Sequence, residues 1–206
     1  SNPALQLDPK TTALVLIDLQ NGIVAMDVKP QPSSDVVARS RRLADAFRAA
    51  QAPVVLVTVG HVDGKDALSP TLDTPAAAAA KPPAGWSDVV AEMNVQPSDM
   101  RIMKRQWGAF YGTELDLQLR RRGIRTIVLA GISTNVGVES TARDAFERGD
   151  TVSVQSADGR ELARGIVAYS DSDALRIIGR RSEEIPALLG FAGRDELIHR
   201  DDLVLS

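Results

Sequence analysis

The chain has 206 residues, 44% of them hydrophobic, and a formal net charge of −3. That length suits one α/β domain or one domain with a small appendage, and no apolar run approaches the roughly 18 residues needed to cross a bilayer. The sequence contains no cysteine, which excludes disulfides, thiolate metal sites and any cysteine nucleophile.

Charge is split unevenly. Residues 1–149 carry 17 Lys+Arg against 16 Asp+Glu, and residues 150–206 carry 7 against 11. Neither part has the basic excess that drives binding to a phosphate backbone, so nucleic acid is not an expected partner. The opening residues lack the basic-then-apolar pattern of a signal peptide, and a cytoplasmic location is expected.

In chain order, Ala13 to Ile17 form a continuous apolar run that ends in Asp18, the pattern of a strand buried on both faces. Residues 36–50 place Val37, Leu43, Ala46, Phe47 and Ala50 at near-helical spacing, and Pro53 opens a second run, Val54 to Val57. Residues 61–98 hold five of the eleven prolines and few periodic apolar positions, which predicts a long loop. A short strand follows at Arg101 to Lys104. A helix over 113–122 carries Leu115 and Leu119 inward, with a basic last turn and Gly123 as its stop. Thr126 to Ala130 make the next buried strand, Gly131 to Asn135 a turn, and residues 136–148 a helix. This alternation predicts a doubly wound, mainly parallel α/β sheet.

After Gly149 the pattern changes. Thr151 to Gln155 alternate with period two, Ala157 to Arg160 form a hairpin turn around Asp-Gly, and Glu161 to Tyr169 alternate as a second strand. A short helix beginning at Ser182, with Ile185, Leu188 and Leu189, precedes terminal strands at Glu196 to Arg200 and Leu203 to Leu205. Residues 1–149 are therefore expected to form one domain and residues 150–206 a small α+β segment, with Thr151 to Gln155 free to join either sheet.

Three stretches carry a resemblance. Val15-Leu16-Ile17-Asp18-Leu19-Gln20-Asn21, Lys104-Arg105-Gln106-Trp107-Gly108-Ala109-Phe110-Tyr111-Gly112-Thr113, and Gly131-Ile132-Ser133-Thr134-Asn135-Val136-Gly137-Val138-Glu139-Ser140-Thr141-Ala142-Arg143 together resemble the isochorismatase-like (cysteine hydrolase) family over about residues 8–149. Phe146 to Asp150, Ala163 to Ser170 and Ile198 to Leu205 resemble the C-terminal PUA domain of bacterial gamma-glutamyl kinase over about residues 146–206. The resemblances meet at Phe146 to Gly149, which implies a junction there.

In a doubly wound sheet, ligands bind beyond the C-terminal ends of the strands, and Asp18, Lys104 and the turn before Gly137 all fall at such ends. The first resemblance implies an acidic residue at Asp18, a lysine at Lys104 and a nucleophilic cysteine at the position held here by Gly137. It also implies a cis peptide at Ile132-Ser133. Asp18 is expected to act as acid or base. Lys104 is expected to lower the aspartate's pKa and to neutralise developing negative charge. Glycine offers no side chain, so no covalent acyl-enzyme forms from position 137 and water must be the nucleophile. The turn Ser133, Thr134, Asn135 and Val136 would cradle an anion or oxyanion. Gln20, Trp107, Phe110 and Tyr111 would line the pocket, or the aromatics a subunit contact.

His61 and His199 have no metal-ligand spacing; no metal and no cofactor is expected. The expected activity is hydrolysis of a small metabolite by a homo-oligomer. The alternatives are a non-catalytic fold that binds a small molecule or a partner subunit, and an RNA-binding tail, which the acidic balance of residues 150–206 opposes.

Overall fold

The computed structural model describes residues 7–29, 31–63, 66, 82–145, 151–155, 161–166, 184, 187–188, 190 and 203–205. The chain divides into a compact unit at Leu5–Asp144 and a second that contains Ala145–Ser206.

The first unit is built on four parallel strands: β1 (Thr12–Ile17), β2 (Val54–Val59), β3 (Met100–Lys104) and β4 (Thr126–Gly131), in the order β3-β2-β1-β4. Central β1 is buried along its whole length. Its alternate side chains serve two cores. Leu14 and Leu16 pack with Val37, Val54, Leu56 and Met93 on one face; Ala13, Val15 and Ile17 pack with Val55, Val57, Ile102, Leu115 and Leu119 on the other. A strand covered on both faces has no need of polar alternation, which is why its sequence is an unbroken apolar run.

Helices α1 (Asn21–Val24), α2 (Ser33–Ala49), α3 (Leu115–Arg121) and α4 (Glu139–Arg143) complete the unit, with a single 3-10 turn at Ala91–Met93 and a π-helical turn at Thr134–Val138. Helix α3 matches expectation: Leu115 and Leu119 are buried, Arg120 and Arg121 occupy the last turn, and Gly123 follows at φ +68°. Helix α2 begins three residues earlier than its large apolar residues suggest. Its buried face runs through Ser33, Val37, Ser40 and Ala44, while Leu43 is 38% exposed. Small side chains let this helix lie close to the sheet.

Residues 82–98 are not the structureless stretch that their prolines imply. Val90 and Met93 are buried in the core, and Gln20 and Val89 form a β-bridge. Arg48 grips Asp99 with two bonds, Nε–Oδ1 at 3.1 Å and Nη2–Oδ2 at 2.6 Å, and the Gln96 N–H adds a third at 2.8 Å. The loop is thus tied to α2 by contacts between residues far apart in sequence.

In the second unit, β5 (Thr151–Gln155) pairs antiparallel with β6 (Glu161–Ile166), and β6 with β7 (Leu203–Leu205). Thr151–Gln155 therefore stands in an antiparallel sheet and does not extend the parallel one. The expected turn at 157–160, the strand at 196–200 and most of the helix from Ser182 lie outside the described residues.

Leu14 has no exposed surface, so Leu14→Ala is expected to destabilise the chain by about 2–5 kcal/mol in urea unfolding. Leu43→Ala on the outer face of α2 should cost less than about 1 kcal/mol. Equal losses would contradict this assignment of core and surface.

Candidate functional site

The site forms where β1, β3 and β4 end. β1 stops at Asp18, whose φ of +55° turns the chain out of the strand; aspartate tolerates this left-handed region better than most residues. β4 ends at Gly131, with φ +137°, where a β-carbon would collide with the backbone of Ile17. Only glycine fits there. The Ile132 N–H then bonds to the Ile17 carbonyl at 3.0 Å, fixing the turn after β4 beside the end of β1. The Ile132-Ser133 peptide is cis, as the resemblance implied.

Lys104, the last residue of β3, is 2% exposed. Its Nζ donates to Asp18 Oδ2 at 2.9 Å and to the Trp107 carbonyl at 2.7 Å. Gly137 completes the corner: a β-carbon there would stand 2.9 Å from Asp18 Oδ2, 3.0 Å from Ile17 Cγ2 and 3.2 Å from Lys104 Nζ. The carboxylate and ammonium have closed on the space that a side chain at 137 would need. Asp18 Oδ1 is buried without a hydrogen-bond partner among the described residues.

The electrostatics set two influences against each other. Lys104 does favour the charged carboxylate, by charge and by hydrogen bond, but burial outweighs it and raises the Asp18 pKa above its ordinary 3.8. Desolvation disfavours the ionised form throughout the group's surroundings, whereas the ammonium engages one oxygen only. Oδ2 faces a cation, so a proton held by Asp18 belongs on Oδ1.

Gln20 is fully buried beneath this corner. Its Nε2 donates to the carbonyls of Val59 at 2.9 Å and Trp86 at 3.4 Å, while its Oε1 accepts the Val59 N–H at 2.7 Å. The expected pocket residue is therefore a clamp between the end of β2 and the loop at 86, with both ends of its amide occupied by backbone. Asn21 extends the clamp by donating from Nδ2 to the Gly85 carbonyl. Trp86 lies so close on Gly22 that no β-carbon would fit.

The other expected residues are scattered. Trp107 is 57% and Tyr111 79% exposed, whereas Phe110 packs against the core near Leu115. Of the three aromatics, Trp107 reaches the site through its carbonyl. Thr134 is exposed, Val136 is 40% exposed and Ser133 half-buried. An open groove of about 490 Å³, lined by Val24, Met26, Val28, Val37, Arg41 and Glu92 among others, touches neither Asp18 nor Lys104. Among the described residues no cluster of His, Asp and Glu could hold a metal ion, and no helix is long and apolar enough to cross a membrane. Sequence reasoning missed Thr141, whose hydroxyl lies between Gly137 and Ala109; its spacing of four from Gly137 on a helix was the available signal.

Comparison with known proteins fits this architecture. Residues 12–156 match the Isochorismatase domain. The chain belongs to the isochorismatase family. The uncharacterised isochorismatase family protein YwoC of Bacillus subtilis is 53% identical over 146 residues, covering 70% of this chain and 75% of that protein. A solved isochorismatase family protein from Burkholderia thailandensis superposes with a TM-score of 0.63 at 52% identity, covering 68% of this chain and 73% of that one. Behind the isochorismatase domain, residues 137–189 match the PUA domain. Glutamate 5-kinase of Paramagnetospirillum magneticum is 54% identical over 81 residues, which are 39% of this chain and 20% of that enzyme. The two family matches share residues 137–156, a span that includes Phe146 to Gly149.

A raised Asp18 pKa has a fixed sign in stability. The folded chain holds this proton to higher pH than the unfolded chain, so the group's contribution is complete below pH 3.8 and is lost as pH rises through the raised folded value. In urea titrations across that window the natural chain should lose stability relative to Asp18→Asn. Parallel pH curves for the two proteins would contradict the raised value.

Proposed function

We propose that the isochorismatase domain hydrolyses a small metabolite with Asp18 as acid and base, Lys104 as its electrostatic partner and water as the nucleophile, without a covalent intermediate. The observation that carries this reading is the buried contact pair, Lys104 Nζ to Asp18 Oδ2 at 2.9 Å, with Oδ1 left unbonded. A buried carboxyl oxygen lacking a protein partner is costly unless a ligand or a water supplies one. A carboxyl with a raised pKa holds its proton to higher pH than an exposed one, as a general acid must.

Each part then has a role. Oδ1 carries the proton to the leaving or accepting atom of the substrate and, once ionised, receives one from attacking water. The ammonium of Lys104 stays close enough to neutralise charge that develops beside Asp18. Backbone N–H groups in the turn from Ser133 through Thr134 and Asn135 to Val136 would meet an anion or oxyanion. Gly137 supplies no nucleophile, which excludes an acyl-enzyme at that position. Water would work beside Oδ1, because the place of a side chain at 137 already lies within 3.2 Å of both charged groups.

We further propose that residues 1–149 act as the hydrolase domain and residues 150–206 as a separate PUA segment. The exposed Trp107 and Tyr111 would lie between subunits of a homo-oligomer in the cytoplasm. A second reading, a non-catalytic fold that binds a small molecule or a partner subunit, gains from one observation: Asp18 Oδ1 is sealed from solvent.

A panel of vinyl ethers and amides separates the readings. Asp18→Asn is expected to lose at least about 100-fold in kcat on any substrate the natural chain turns over, the range of a general acid–base group. Equal turnover by both proteins would end the catalytic role of Asp18. Calorimetric binding with no turnover by the natural chain would favour the second reading.

A further inference from the structure

The turn that carries Gly137 and the loop that follows Lys104 are joined by one buried hydroxyl. Thr141 has no exposed surface. It lies one helical turn after Gly137 and donates from Oγ1 to the Gly137 carbonyl at 2.6 Å, the backward bond threonine makes within a helix. The same oxygen accepts the N–H of Ala109 at 3.1 Å, and Ala109 is itself fully buried. Beside it, a β-carbon on Gly108 would strike the Asp144 carboxylate and lie 3.5 Å from the Ser140 carbonyl. The loop therefore rests directly on α4.

Residue 107, one step before this contact, offers the carbonyl that receives Lys104 Nζ at 2.7 Å. A continuous chain of bonds results: Gly137 carbonyl, Thr141 hydroxyl, Ala109 amide, Trp107 carbonyl, Lys104 ammonium, Asp18 carboxylate. The Gly137 end returns to the same place, since a β-carbon there would stand 2.9 Å from Asp18 Oδ2 and 3.2 Å from Lys104 Nζ.

We propose that Thr141 is a positioning residue: its hydroxyl locks the 107–109 loop to the Gly137 turn and so holds the Lys104 ammonium against Asp18. The functional meaning of this lock rests on reading Asp18 and Lys104 as the working pair, whereas the lock itself stands apart from any activity. Without the hydroxyl, the buried Ala109 N–H has no acceptor. The loop must shift to find one, carrying the Trp107 carbonyl away from Lys104.

The test is the titration of Asp18, followed by NMR of its 13C-labelled carboxyl in the natural chain, Thr141→Val and Thr141→Ser. Among the described residues Lys104 is the charged group that acts on Asp18, so a loosened ammonium moves the Asp18 midpoint upward. Thr141→Val is expected to raise it by about one pH unit, and Thr141→Ser, which keeps the hydroxyl, to leave it where it is. Thr141→Ala removes the hydroxyl without setting a methyl against the Ala109 amide and gives the same reading where valine is not tolerated. A folded Thr141→Val or Thr141→Ala protein with the natural Asp18 midpoint would overturn the proposal, because a residue that only supports packing would lower stability and leave the titration alone. Absence of turnover in the natural chain would count against the hydrolase reading and leave this result intact.

Discussion

A lysine with 2% of its surface exposed must find its partners inside the protein. Lys104 finds one carboxylate and one carbonyl, and the arrangement of the first unit follows from that need. β3 must end level with β1, so that Lys104 and Asp18 meet, and the loop after β3 must fold back to present the Trp107 carbonyl. Breaking such a pair by removing one member typically costs about 3–5 kcal/mol, because the other charge is left buried alone. The pair is thus an expensive polar feature of the unit, and it stands at the strand ends where ligands of such sheets bind.

Glycine governs both approaches to the pair. At 131 it lets β4 close on Ile17, bringing the following turn beside the end of β1. At 137 it leaves open a place that borders both carboxylate and ammonium. A larger residue there would make the tip of Asp18 or Lys104 give by a few tenths of an ångström. Burial dominates the Asp18 carboxyl in spite of the ammonium beside it, and Oδ1 is left as the atom able to carry a proton.

Much of this was legible in the sequence for a simple reason. Strands buried on both faces are written as apolar runs, and Asp18, the charged residue that follows the run of β1, stands out against it. What escaped was written in small side chains and in backbone bonds. The inner face of α2 passes through Ser40 and Ala44, which carry little apolar signal. The clamp of Gln20 joins it to Val59 and Trp86, 39 and 66 residues away, with main-chain acceptors that any sequence supplies. The direction of the Asp18 pKa depends on how completely the fold encloses the carboxyl, a quantity no motif records, so the sequence shows the cation that lowers it and leaves the net direction open.

The measurement that tests this account most directly is the pH titration of the Asp18 carboxyl in the natural chain and in Lys104→Met. The account predicts a midpoint above 3.8 in the natural chain and a higher one in Lys104→Met, where burial acts without the ammonium. A midpoint near 3.8 that does not respond to Lys104→Met would show that the two groups do not share an environment, and would contradict the account.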